Sequence, residues 1–245
     1  MIMRVAIVTG AAAGIGAATA ARLLADGFHV CTVDRAEADA PAHENRLDLV
    51  EDLVDPAAPA RIVGAVLERF GRVDVLVNNA GVGGARAVHE TDDAGWSRII
   101  ETNLTTAFRM SREVLPDMLA RGAGCIIHVA SIFGLVGWRN NAAYAASKAG
   151  IDGLTRQMTA DYAPRGIRVN AVAPGLILTT MTERLLTDAV YRELILQGTP
   201  VGRAGDVRDV ANVIAFLASD DAAFVCGQTI AVDGGWTAAR VRNSE

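Results

Sequence analysis

Val5-Ala6-Ile7-Val8-Thr9-Gly10-Ala11-Ala12-Ala13-Gly14-Ile15-Gly16 runs from a short β-branched stretch straight into a glycine-rich turn. The segment that follows, Ile15 to Ala25, is alanine-rich and carries its apolar side chains at helical spacing. A strand that feeds a helix through such a turn opens a parallel α/β unit. Glycines at 10, 14 and 16 permit a sharp reversal, close backbone approach to a ligand, and close packing of helix on sheet. The first helical turn would present free N–H groups and a partial positive charge, which suits a nucleotide pyrophosphate. A tight turn with no ligand is the plainer reading. Asp34 weighs against it, because it closes the second apolar run 18 residues after Gly16. That is near the spacing of about 20 residues at which an acid grips the adenosine ribose.

Outward from this turn the same alternation continues. Short apolar runs fall at Val5–Val8, Val30–Val33, Val73–Val77, Cys125–Val129, Ile167–Val172 and Thr229–Val232, with a weaker strand signal at Asn45–Leu49. Helical spacing occupies Ile15–Ala25, Ala58–Phe70, Trp96–Leu119, Ala145–Tyr162 and Val207–Ala218. Apolar strands alternating with helices predict a doubly wound, Rossmann-type parallel α/β sheet of about seven strands, covered on both faces. The polar connection Asp34–Asn45 is too short for a full crossover helix, so a loop is expected there. Prolines in Asp55–Pro59 suit a helix start. No linker divides the chain, so residues 1–245 read as one domain.

Composition sets the outer limits. A chain of 245 residues, 51% hydrophobic, needs no covalent staple to hold a core. Cys31, Cys125 and Cys226 are too few and too scattered for a disulfide framework or zinc knuckle, which fits a reducing cytoplasm. The net charge of −5 argues against a nucleic-acid partner. The longest uncharged stretch, Val5–Ala21, is glycine-broken and shorter than the roughly 20 residues of a membrane helix. His29, His43, His89 and His128 lack ligand spacing, so no metal site is expected; His128 reads as a satisfied core histidine.

Asp34 also bears on which dinucleotide binds. A carboxylate there bonds the ribose 2′-hydroxyl of NAD and repels the 2′-phosphate of NADP, and Ala13 stands where a phosphate-binding side chain would sit. Arg35 is the counterweight, but NAD is favoured. Further along, Tyr144 and Lys148 lie four residues apart on one helix face. A nearby cation would bring a phenol's pKa toward the working range that acid/base chemistry needs. Ser131 follows the fifth strand signal, at the carboxyl edge where open α/β sheets bind ligands.

Taken together these residues resemble the short-chain dehydrogenase/reductases, in their single-domain branch. The match rests on Thr9-Gly10 with Gly14-Ile15-Gly16, Asn78-Asn79-Ala80-Gly81, Asn103, Ser131, Tyr144, Lys148, and Pro174-Gly175 with Thr179. The resemblance implies that Tyr144 is the acid/base and Lys148 binds the nicotinamide ribose. It implies that Ser131 bonds the substrate oxygen and that Asn103 holds a water leading to Lys148. Gly10, Ile15, Asp34, Asp48, Leu49, Asn79 and Ile177 would line the dinucleotide, with Thr179 at the carboxamide or phosphate. Asn78 would tie strands together.

Substrate contacts are expected after Ser131, around Trp138 and after Gly175, in a mostly apolar setting that suits a small or medium secondary alcohol or its ketone. Thr180–Gln197 would form a lid. The resemblance further implies a homo-oligomer, most often a tetramer, using the tail Thr229–Gly235 and two long helices. Alternatives are an NADPH-dependent 3-oxoacyl carrier-protein reductase and a non-catalytic dinucleotide sensor. An epimerase would need a second domain.

Overall fold

The structure is a computed structural model that describes residues 3–37, 41, 43–84, 86–183, 187, 189 and 192–239. Seven strands, β1 (Val5–Thr9), β2 (His29–Asp34), β3 (Arg46–Val50), β4 (Val75–Asn78), β5 (Gly124–Val129), β6 (Ile167–Pro174) and β7 (Thr229–Val232), form one sheet. Its order is β3-β2-β1-β4-β5-β6-β7 and every pairing is parallel. The chain reverses direction across the sheet between β1 and β4, and in doubly wound folds ligands bind at the carboxyl ends of the strands at such a point.

Side-chain alternation assigns the two faces. Ala6 and Val8 of β1 pack with Val75, Ile127 and Val172 under α1 (Gly14–Ala25) and the late helix Val207–Ala218. Val5 and Ile7 face the other way, toward Ile62, Val66, Met110, Val114 and Met118. Those residues belong to α2 (Ala58–Phe70) and to the long helical segment before β5. Pro59 lies in the first turn of α2, where its missing N–H costs nothing. β3 and β7, at the two edges of the sheet, mix half-buried and exposed positions. Among the described residues no helix joins β2 to β3.

The long segment expected over Trp96–Leu119 is not one uniform helix. It comprises α3 (Asp93–Ile100), a π-helical turn (Glu101–Thr105) and α4 (Thr106–Arg121). Asp92 caps α3 by accepting from the Gly95 N–H at 2.7 Å. The short α5 (Ile132–Leu135) follows β5, and α6 (Ala142–Tyr162) starts three residues before the apolar spacing suggests. After β6 come α7 (Thr180–Glu183), a π-helical stretch (Arg192–Gln197) and α8 (Val207–Ala218). Residues 184–186, 188, 190 and 191 of the expected lid lie outside the described residues.

Candidate active site

The glycine turn is built by forced proximity. Gly10 and Gly14 hold φ values of +65° and +60°, which side-chain-bearing residues rarely adopt. A Cβ at Gly16 would lie 2.1 Å from the Gly10 carbonyl oxygen, so α1 can approach the turn only with glycine there. Asn79, just after β4, donates from its amide to the Thr9 and Gly10 carbonyls, both at 2.9 Å. Thr9 Oγ1 in return accepts from the Asn79 and Ala80 N–H groups. Asn79 therefore shapes the turn with its side chain. No side chain caps the start of α1, which leaves its first N–H groups to a ligand. Ile15, half-buried, packs against the core behind that turn.

Asp34 ends β2 beside this turn, its carboxylate accepting from the Ala12 N–H at 3.0 Å and the Ala36 N–H at 3.3 Å. Arg35 next to it is exposed. Asp48 and Leu49 lie on β3, one strand further out. The Asp48 carboxylate is engaged by Arg46 at 2.6 Å and by the Thr32 hydroxyl, and Leu49 leans into the core. On the opposite side, Pro174 closes β6 and the Gly175 N–H donates to the Val232 carbonyl at 3.0 Å. Ile177 is buried, so only its backbone can face a ligand there. Thr179 lies over Gly14, with its methyl 3.5 Å from where a Gly14 Cβ would be. Thr182, which the sequence reading passed over, ties Thr179 down by accepting from its N–H at 2.9 Å.

At the carboxyl end of β5, Ser131 caps α5 by accepting from the Phe133 N–H at 3.2 Å, and its hydroxyl lies near enough to the Tyr144 phenol to act on its ionisation. Gly134 brings α5 tight against α6, since a Cβ there would sit 2.7 Å from the Lys148 carbonyl carbon. Lys148 is buried, and its Nζ donates to the Val129 carbonyl at 2.7 Å. Burial pulls its pKa down to about 8. Burial also pushes the Tyr144 phenol above its ordinary value, and the Ser131 hydroxyl offsets part of this.

Lys148, the cation expected to lower the phenol's pKa, has its Nζ 5.8 Å from the Tyr144 ring centre. The Ser131 hydroxyl favours phenolate.

Asn103, in the π-helical turn, is buried with both amide ends engaged. Its Oδ1 accepts from the Val82 N–H at 2.7 Å, and its Nδ2 donates to the Val82 carbonyl and to Ser147 Oγ. Ser147 donates in turn to the Tyr144 carbonyl at 2.7 Å, a link the sequence reading missed. A small polar residue on the buried face of α6 was the available signal.

Asn78 ties β4 to α4 by donating to the Ala107 carbonyl and to Ser111 Oγ. It also meets His128 Nδ1 at 3.2 Å. His128 is fully buried, but its Nε2 finds no partner, so it is only half satisfied. Burial, with the Lys148 charge nearby, pulls its pKa down to about 4.

Ile132 and Leu176, expected among the substrate contacts, are buried in the core, whereas Leu135, Val136 and Leu178 are exposed. Phe133 and Trp138 stack with ring centres 5.6 Å apart, and Trp236 stands edge-on to both. Among the described residues no three His, Cys, Asp or Glu side chains gather as for a metal ion, and no helix is long and apolar enough to cross a membrane.

Comparison with known proteins places this geometry. A family model described as Enoyl-(Acyl carrier protein) reductase matches residues 10–237. The chain is 45% identical over 243 residues to cis-4-hydroxycyclohexanecarboxylate dehydrogenase of Sinomonas cyclohexanicum, covering 96% of this chain and 97% of that one. It is 41% identical over 237 residues to the 3-oxoacyl-(acyl-carrier-protein) reductase FabG of Escherichia coli K12, covering 95% and 96%. A solved structure of a proposed NAD(P)-dependent gluconate 5-dehydrogenase from Beutenbergia cavernae, with NADP bound at low occupancy, superposes with a TM-score of 0.90. That pair is 39% identical, covering 96% of this chain and 97% of the other. With the sheet order, the glycine turn and the Ser131–Tyr144–Lys148 cluster in place, these matches over nearly the whole length show that the chain belongs to the short-chain dehydrogenase/reductase family.

Proposed function

We propose that the chain, as one catalytic domain over residues 1–245, is an NAD-dependent oxidoreductase that interconverts a small or medium secondary alcohol and its ketone. The observation that carries this is the placement of the Ser131 hydroxyl where it favours ionisation of the Tyr144 phenol, beside buried Lys148 at the carboxyl edge of the sheet. The nicotinamide, when bound, takes or gives the hydride. Gly10, Gly14, Ile15 and Gly16 would hold its pyrophosphate through backbone N–H groups, with Asp34 on the adenosine ribose. Asp48, Leu49 and Asn79 would border the adenosine side, and Pro174, Gly175, Ile177 and Thr179 the nicotinamide side. Ser131 orients the substrate oxygen, and Tyr144 takes the alcohol proton at its phenolic oxygen or returns it to the ketone. Lys148 has donors to spare beyond its bond to Val129, enough for a ribose hydroxyl. Asn103 fixes the loop after β4. With both amide hydrogens spent, holding a water would fall to its remaining acceptor capacity or its backbone carbonyl.

Asp34 supports NAD over NADP, because its carboxylate stands where a 2′-phosphate would be repelled. The 45% identity to a hydroxycyclohexanecarboxylate dehydrogenase supports the alcohol class. A second reading, an NADPH-dependent 3-oxoacyl carrier-protein reductase, draws on the 41% identity to FabG. The groove between α4 and α6, about 400 Å³ and bordered by exposed Phe108 with Gly150 and Gly153, supports a contact between copies on those helices, as the proposed homotetramer would need. A cytoplasmic location is supported by Cys31, Cys125 and Cys226 all being free thiols.

Tyr144→Phe tests the chemistry. Alcohol-dependent reduction of NAD should fall by about a hundredfold or more, with NADH binding retained. Near-normal turnover in that variant would refute the acid/base role, and a strong preference for NADPH with acyl thioesters would favour the second reading.

A further inference from the structure

We propose that Trp236 is a specificity-determining residue: with Phe133 and Trp138 it forms an aromatic wall beside Ser131 and Tyr144 that favours ring-shaped secondary alcohols over open-chain ones. The inference rests on the oxidoreductase reading above and adds the shape of the substrate to it.

The three rings come from distant parts of the chain. Phe133 is fixed to the site directly, since its own N–H donates to Ser131 Oγ. Trp138 stacks on it at 5.6 Å with 19° between the planes. Trp236 stands nearly perpendicular to Phe133 at 6.2 Å and tilted against Trp138 at 5.9 Å, the edge-to-face geometry that aromatic quadrupoles prefer. Phe133, Trp138 and Trp236 are all half-buried.

Trp236 is held in place by the turn that precedes it. The Asp233 carboxylate accepts from the Gly235 and Thr237 N–H groups, both at 2.8 Å, and from the Thr237 hydroxyl at 2.6 Å. Gly234 and Gly235 supply the left-handed backbone this turn needs, with φ of +63° and +88°. Asp233 also packs against Gly175, where a Cβ would meet it at 2.8 Å, so the turn abuts the loop after β6. The cluster thus joins the segment after β5 to the turn after β7, which itself abuts the loop after β6 at Gly175.

Aromatic faces bind C–H surfaces of saturated rings well. A ring has few rotors to freeze, whereas an open chain of the same carbon number loses more conformational freedom on the same surface. Preorganised aromatic walls therefore select rings.

The test measures steady-state rates with NAD on cyclohexanol and on open-chain hexan-2-ol, for the unaltered chain, Trp236→Ala and Trp236→Phe. In Trp236→Ala the KM for cyclohexanol should rise about tenfold more than that for hexan-2-ol, and Trp236→Phe should restore the difference. Equal losses on both alcohols, or none, would overturn the ring selection while leaving the oxidoreductase reading standing. Quenching of tryptophan fluorescence by cyclohexanone in the presence of NAD supplies a readout free of turnover, expected in the unaltered chain and reduced in Trp236→Phe, where Trp138 still reports on the wall. Quenching with no turnover of any alcohol would refute the oxidoreductase reading and uphold ring binding at Trp236. Absence of both would overturn the two together.

Discussion

Replacing Gly16 by alanine puts a methyl group where the fold has left no space. The new Cβ would stand 2.1 Å from the Gly10 carbonyl oxygen and 2.6 Å from Asn79 Nδ2. Neither neighbour can swing aside: the Gly10 carbonyl is held by Asn79, and Asn79 is held by Thr9. Reaching ordinary contact distance means that α1 withdraws from the turn by roughly 1.3 Å. Overpacking of this kind costs about 1–3 kcal/mol. For a chain of this length each kcal/mol moves the melting temperature by about 2–4 °C, so a drop of about 2–12 °C is expected. On the proposed binding mode, the same withdrawal would pull the first helical N–H groups off the pyrophosphate. Misplacement by about 1 Å can cost about a hundredfold in kcat/KM. The assay pairs thermal unfolding with an NADH fluorescence titration. Gly64→Ala is the control: nothing lies within 4 Å of its added Cβ, and removing a mid-helix glycine should stabilise by up to about 1 kcal/mol. A Gly16→Ala protein that melts within about a degree of the parent and binds NADH equally well would refute the close-approach argument.

Two further outcomes follow from single side chains. With Asp34 on the ribose as proposed, Asp34→Ala should lower NADH affinity about ten- to a hundredfold while NADPH is spared or gains; equal losses for both would show that Asp34 does not read the ribose. His128 takes up its proton near 6.5 when unfolded but only near 4 when folded. Its contribution to stability is therefore complete above pH 6.5 and disappears as pH falls through 4, amounting to roughly 3 kcal/mol for a shift of this size. His128→Asn should flatten the urea midpoint over that window, and parallel losses in variant and parent would exonerate the imidazole.

Much of the architecture is written locally. Apolar runs such as Val5–Val8 and Cys125–Val129 become strands buried on both faces because a parallel sheet flanked by helices leaves them no wet side. The glycine turn, Asp34, and the Tyr144–Lys148 spacing are readable because each rests on a short-range geometric demand. What escaped the sequence is set by tertiary packing. The π-helical turn around Asn103 leaves no compositional mark, and Trp236 meets Phe133 across a separation that no periodicity reports. His128 fits an apolar strand pattern, yet only the packed neighbours reveal that Asn78 satisfies one nitrogen and nothing satisfies the other. The balance of charge at Tyr144 is equally non-local, because it depends on how deeply Lys148 is sunk and on the carbonyl it meets.

The π-helical turn at Glu101–Thr105 acts as a phase shifter. An α-helix advances by about 100° per residue, so the one extra residue in such a turn re-aims everything downstream by that angle. Upstream of it, Ile99 addresses the loop at Gly84; downstream, Met110, Val114 and Met118 address the sheet. One continuous rod thereby serves two clients whose directions a regular helix could not satisfy together, and Asn103 sits at the splice, where it grips Val82. The segment's length is consequently fixed more strictly than its composition: exposed positions along it can drift, but losing a single residue between 101 and 105 would set the core stripe of α4 against the clasp on Val82.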